Sequence, residues 1–208
     1  MSTNEADDDP INAVFREFGA RFCQTVSRDQ RRLLYDEIQF FINSCAAEQK
    51  LRLASRIPIP DYEPYMKMRI GTVGGRMLCS LVPYATGEML PGVLSSAPEI
   101  VRLWTEVSIL QSLMNDMLSL KKELRTDCVI NAVAAIMEPG MSLDVVVSKL
   151  EERMKMAVSN FDDAANMLFR KTEFQEQTHP IVKRYVDGCR SIVTGTLRFT
   201  NSQKKTGH

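Results

Sequence analysis

The stretch PEIVRLWTEVSILQSLMNDMLSLKKE, residues 98–123, decides the fold. Its spacing predicts one long helix from about Pro98 to Glu123. At ~100° per residue, Ser119 lies ~40° and Glu123 ~80° around the helix from Asn115. Lys122 lies ~20° to the other side of Asn115. These four residues form a polar row, and Leu110, Leu113, Met117, Leu120 and Leu124 are expected on the opposite face.

Helical patterning continues outward from this segment. Upstream, Val14, Phe18, Phe22 and Val26 recur every fourth residue between Asn12 and Arg28, with Phe15 and Arg21 beside them. Residues 29–54 continue with Leu33, Leu34, Ile38, Phe41, Ile42 and Cys45. Pro58 and Pro60 break the pattern over Arg56–Asp61, because proline cannot sit inside a helix and forces its predecessor to be extended. A helix resumes near Pro64. Gly71, Gly74 and Gly75 loosen it, and Pro83 is expected to end a segment. Residues 87–97 read as a loop or turn.

Downstream, Asp127 opens a candidate helix through Ile136 that stops at Glu138-Pro139-Gly140. Ser142 reads as an N-cap, followed by the apolar face Val145, Val146, Leu150, Met154 and Val158. His179-Pro180 starts a last helix through Tyr185, Val186, Cys189, Ile192 and Val193. No strand pair, hairpin turn or repeat is evident. The expected fold is all-α, a helical bundle, over residues 11–199. An acidic disordered segment (1–10) precedes it and a polar tail (200–208) follows.

The polar row carries the chemistry. An amide oxygen, a hydroxyl and a carboxylate are hard ligands that suit Mg²⁺, which also shares substrate phosphates. The rise from Asn115 to Glu123 is ~12 Å. Side chains lean towards the helix N-terminus, so the long Glu123 can reach back over Ser119. Lys122 could meet a phosphate oxygen. A solvated surface helix would carry the same row, so spacing alone leaves both readings open.

Asn-Asp-x-x-Ser-x-x-x-Glu at 115–123 resembles the second metal-binding motif of class I terpene synthases. Upstream, Pro60-Asp61-Tyr62-Glu63-Pro64-Tyr65-Met66-Lys67-Met68-Arg69-Ile70-Gly71-Thr72-Val73-Gly74 is similar to that family's diphosphate-sensing stretch, with Arg69 as the arginine. Lys121-Lys122-Glu123, Asp127, Asn131-Ala132-Val133 and Met137 resemble the fungal branch. Arg184 to Gly188 and Val193 to Thr200 resemble its final helix.

The resemblance covers about residues 12–200 and implies the isoprenoid-synthase helical bundle, incomplete at its N-terminal side. It implies Mg²⁺-dependent ionisation of an isoprenoid diphosphate, farnesyl diphosphate by default, and cyclisation to a sesquiterpene. Asn115, Ser119 and Glu123 would hold the metal, while Arg69, Lys122 and Lys205 would hold the diphosphate. Lys204-Lys205-Thr206 stands where the family closes on an Arg-Tyr pair, which keeps charge and loses the bidentate fork.

The Asp-rich first motif of the family has no good counterpart. Asp8-Asp9-Pro10-Ile11-Asn12 has a proline inside it and no helix before it. The expectation is a chain that alone ionises substrate poorly. The alternatives are a non-catalytic helical domain acting as an oligomer partner, and an unrelated helical interaction domain. A homodimer is compatible with the family reading.

Composition bounds the rest. Twenty-six basic residues balance 26 acidic ones over 208 residues, which gives no signal for nucleic acid or an anionic membrane. No apolar run reaches the ~20 residues of a membrane span. Cysteines at 23, 45, 79, 128 and 189 form no CxxC pair and read as reduced thiols, so a cytoplasmic location is the default. His179 is expected to cap a helix or lie at the surface, and Trp104 to be core.

Overall fold

The computed structural model describes residues 10–53, 61–125 and 130–205, the side chains of residues 11 and 200–205 excepted. Within these limits the chain is all-α, as expected, with no strand among the described residues. Its helices are α1 Pro10–Thr25, α2 Arg28–Leu53, α3 Tyr62–Thr72, α4 Gly75–Ser80, α5 Val82–Thr86, α6 Gly92–Ser95, α7 Pro98–Arg125, α8 Ala132–Ile136, α9 Leu143–Thr172 and α10 Thr178–Lys205.

The long helix read from 98–123 is α7, and it is the hub of the bundle. It packs along α9 and also meets α3, α4, α8 and α10. Ile100, Leu103, Trp104, Val107, Leu110 and Leu113 are all buried along it. Each such side chain contributes about 1.5–3 kcal/mol when taken from water. Leu124, expected on the same apolar side, is 58% exposed instead.

Two packed clusters meet on α7. One joins Cys79, Val82, Trp104, Phe161, Leu168, Val186 and Cys189 from α4, α5, α7, α9 and α10. The other joins Tyr65, Met66, Leu113, Val133, Val146 and Leu150 from α3, α7, α8 and α9. A smaller cluster holds Phe22, Val26 and Leu34 of α1 and α2.

Several expectations are corrected. Pro83 does not end a segment: it occupies the first turn of α5, where its missing N–H costs nothing. Residues 87–97, by contrast, agree with the loop-or-turn reading, since they form a loop around the single turn of α6. Asp127 lies outside the described residues, and the helix expected from it starts only at Ala132, capped by Asn131. The tail expected from residue 200 starts later, because α10 runs on to Lys205.

Val145 and Val158 of α9 are exposed. The buried stripe passes through Val146, Leu150, Ala157, Phe161, Ala164 and Leu168, which recur at helical spacing towards α7. Val14 and Phe15 of α1 are likewise exposed, because only the C-terminal part of that helix reaches the bundle. Ser142 does cap α9, accepting from the Val145 N–H.

Candidate metal and diphosphate site

The helix break anticipated after Arg69 is present and aims the site. Helix α3 ends at Thr72, and Gly74 adopts φ +75° before α4 begins. L side chains are strained in that region, so glycine belongs there. Helix α3 thereby lies across α7 and brings Arg69 onto the polar row.

The two helices are joined through Asp116. Its carboxylate accepts from Arg69 Nε and Nη2, both at 3.1 Å, from the Tyr65 hydroxyl, and from the Ala132 backbone N–H at 3.0 Å. Arg69 Nη2 also donates to Asn115 Oδ1 at 2.7 Å, and Nη1 to Thr72 Oγ1 at 3.1 Å. The pair is secluded: the Arg69 side chain is 15% exposed and that of Asp116 is 2% exposed.

Burial disfavours the charge on both partners. For Arg69 burial is the largest single influence, but the Asp116 carboxylate together with Tyr65 and Glu48 outweighs it and holds the guanidinium above its ordinary value. For Asp116 burial is the largest influence and pushes the carboxyl up, against the pull of Arg69, Tyr65 and the Ala132 N–H. Burial and the Asp116 charge hold the Tyr65 phenol well above its usual range.

A second set of bonds orders the far end of the row. Ser119 Oγ donates to Glu123 Oε1 at 2.7 Å. Asn131 Nδ2 donates to Glu123 Oε2 and to the Asp116 backbone carbonyl, each at 2.8 Å. Asn131 Oδ1 accepts from the Val133 N–H at 2.9 Å and so caps α8. A continuous hydrogen-bonded path therefore runs from Arg69 through Asn115 and Asp116 to Asn131, Glu123 and Ser119.

The residues singled out in the sequence are thus partly gathered. Asn115, Ser119 and Glu123 stand on one side of α7, and Arg69 reaches Asn115 directly. Lys122 is exposed on the last turn of α7, beside Glu123. The side chain of Lys205 lies outside the described residues. The sequence alone assigns no role to Asp116, Tyr65 or Asn131. Asp116 could have been found, since a carboxylate flanked by Leu113, Met117 and Leu120 on an apolar face needs a buried partner.

The donor set fits a hard divalent cation. It offers one carboxylate and two neutral oxygens, the chemistry Mg²⁺ takes. Among the described residues no three His, Cys, Asp or Glu side chains gather as a metal cluster. One formal charge holds Mg²⁺ weakly unless a second anion shares the ion, and a phosphate is such an anion.

The other candidates are structural. Trp104 is buried, donates to the Tyr185 hydroxyl and lies under Arg76 at 5.8 Å. Tyr185 is therefore core, and Arg184 pairs with Glu88. His179 Nδ1 meets Thr172 Oγ1 at 3.1 Å. A cavity of about 290 Å³ between α3, α7 and α9 is lined by Tyr62, Met66, Ile70, Ile109 and Met156 among others, and by none of Arg69, Asn115, Ser119 or Glu123.

An all-α bundle with this break and this donor row has the fold of class I terpene synthases. Linalool/nerolidol synthase from Streptomyces clavuligerus, in complex with 2-fluorogeranyl diphosphate, superposes with a TM-score of 0.85 at 18% identity, over 96% of this chain and 67% of that one. Wild-type cucumene synthase superposes at 0.79 with 16% identity, over 97% and 65%.

The family model described as terpene synthase family 2, C-terminal metal binding, matches residues 1–160, and the chain belongs to that family. It is similar to sesquiterpene cyclase hepA of Aspergillus oryzae, 28% identical over 90% of this chain and 51% of that protein. It is also similar to terpene cyclase braA of Annulohypoxylon truncatum, 30% identical over 91% and 49%. The chain spans about half the length of these curated relatives. Among the described residues no helix is long and apolar enough to cross a membrane.

Proposed function

We propose that the chain carries the Asn-Ser-Glu half of a terpene cyclase site, which binds Mg²⁺ together with the diphosphate of an isoprenoid substrate. The sesquiterpene cyclases among its relatives favour a fifteen-carbon allylic diphosphate, farnesyl diphosphate, as substrate, with cyclisation to a sesquiterpene as the outcome. Asn115, Ser119 and Glu123 hold the metal. Arg69 and Lys122 hold phosphate oxygens, with Lys205 as a further cation. Bound Mg²⁺ would neutralise charge on the departing diphosphate.

One observation carries this reading. Arg69 Nη2 bonds Asn115 Oδ1 at 2.7 Å across 46 residues of sequence, so a cation for phosphate and an oxygen for metal meet at one point. When Asn115 Oδ1 turns to a new ligand, one N–H of Nη2 is released towards an anion while Asp116 still holds Nε and the other Nη2 hydrogen. The guanidinium fork permits that division of labour, and a lysine would not.

The test is thermal unfolding with Mg²⁺ and inorganic diphosphate. Ligand at about 100 times its Kd stabilises by about 2.7 kcal/mol, or roughly 5–10 °C in a domain of this size. The shift should need both ligands together and vanish in Asn115→Ala. Equal melting with and without them would favour a helical domain that kept the family fold and lost its metal and diphosphate chemistry.

A further inference from the structure

We propose that Asn131 is the positioning residue of this site: its amide fixes the Glu123 carboxylate in the orientation that receives the metal. The inference rests on the metal reading of Asn115, Ser119 and Glu123 given above.

Glu123 stands in the last turn of α7 and is half-buried. A glutamate is among the side chains with most rotamer freedom to lose. Two donors take up that freedom. Ser119 Oγ holds Oε1 and Asn131 Nδ2 holds Oε2. Each carboxylate oxygen thus accepts one bond from a fixed donor, and the two bonds together orient the group.

The orientation of Asn131 is itself dictated. The residue is 0% exposed. Its Nδ2 faces two acceptors, the Glu123 carboxylate and the Asp116 carbonyl, while its Oδ1 faces the Val133 N–H. A flipped amide would set oxygen against two oxygens and nitrogen against a donor, so chemistry admits one orientation only. The next residue supplies the Ala132 N–H to the Asp116 carboxylate. The first turn of α8 therefore clamps both the residue that anchors Arg69 and the carboxylate that closes the metal set. Ligand carboxylates are oriented by such outer partners, whose loss costs about 10–100-fold in metal affinity.

The test uses Mn²⁺ in place of Mg²⁺, read by electron paramagnetic resonance with inorganic diphosphate present. Asn131→Asp and Asn131→Ser both keep an acceptor for the Val133 N–H, so α8 keeps its cap. Neither can donate to Glu123 as the amide does. Circular dichroism without ligand sets a temperature at which each variant is helical.

At that temperature both variants should bind Mn²⁺ about 10–100-fold more weakly than the unsubstituted chain. The bound-ion spectrum should also be broadened by the less ordered ligand. Affinity and spectrum equal to those of the unsubstituted chain in either folded variant would overturn the inference alone. An unsubstituted chain that binds no Mn²⁺ with diphosphate overturns the metal reading, and this inference with it. Retained tight binding in Asn131→Asp but loss in Glu123→Gln would likewise leave the metal reading standing and Asn131 without its role.

Discussion

The Asp116 carboxylate accepts four hydrogen bonds from two elements: two from Arg69 and one from Tyr65 of α3, and one from the Ala132 N–H of α8. Removing it strands a buried guanidinium and a buried backbone donor together. Breaking one partner of such a pair costs about 3–5 kcal/mol, far more than the net worth of the bonds. Asp116→Ala should therefore lower the unfolding free energy in urea by about that amount. Asn115→Ala removes one hydrogen bond of Arg69 at an exposed acceptor that water can replace, and should cost only about 1 kcal/mol. Equal effects from the two would show that Asp116 is not the anchor. This contrast also marks what the sequence made legible at the residue scale. The oxygen donors were readable because their spacing places them on one face of a helix. Tyr65 and Asn131 were not, because each acquires its partner only when α3 and α8 dock onto α7, across 51 and 8 residues respectively.

Helix boundaries follow the same division. Capping is local chemistry, so Ser142 could be read as the start of α9, and α7 stood out by its length. Helix α8 could not be read correctly from Asp127, because its cap is Asn131, whose amide is also committed to α7. The break between α3 and α4 was legible through its glycines, although what each one does was not. Gly74 supplies the left-handed turn, while Gly75 allows close approach. A Cβ at Gly75 would stand 2.5 Å from Gln111 Oε1, 2.6 Å from Ser108 Oγ and 3.0 Å from Ser108 Cα. Gly74→Ala should cost about 1–2 kcal/mol from backbone strain alone. Gly75→Ala should cost more, since backbone of α7 is in its way. Differential scanning calorimetry should rank their melting temperatures in that order, with Gly74→Ala about 2–8 °C below the unsubstituted chain. The reverse order would mean that packing of α4 on α7 is looser than the geometry implies.

At the scale of the whole molecule, the bundle was legible because helical periodicity is local and repeated, and because ordered motifs over residues 12–200 resemble one family. What periodicity does not reveal is how wet the site is. Asn115 and Lys122 are exposed, and Ser119 and Glu123 are only half-buried. Two unit charges 4 Å apart interact by about 1 kcal/mol in water and about 4 kcal/mol at an effective dielectric constant of 20. A diphosphate held on this open row gains little of the stabilisation that a dry pocket provides, and water stands ready to quench an allylic cation. One carboxylate and two neutral oxygens also supply few ligands against a polyanionic leaving group. These 208 residues alone should therefore bind diphosphate with Mg²⁺ yet form little or no cyclic product from farnesyl or geranylgeranyl diphosphate, as judged by gas chromatography. Abundant cyclic product that disappears in Asn115→Ala would sink this prediction, and it would mean that the exposed row closes over its substrate. Absence of product together with a metal-dependent thermal shift would separate binding from ionisation, which is the division the geometry of α7 implies.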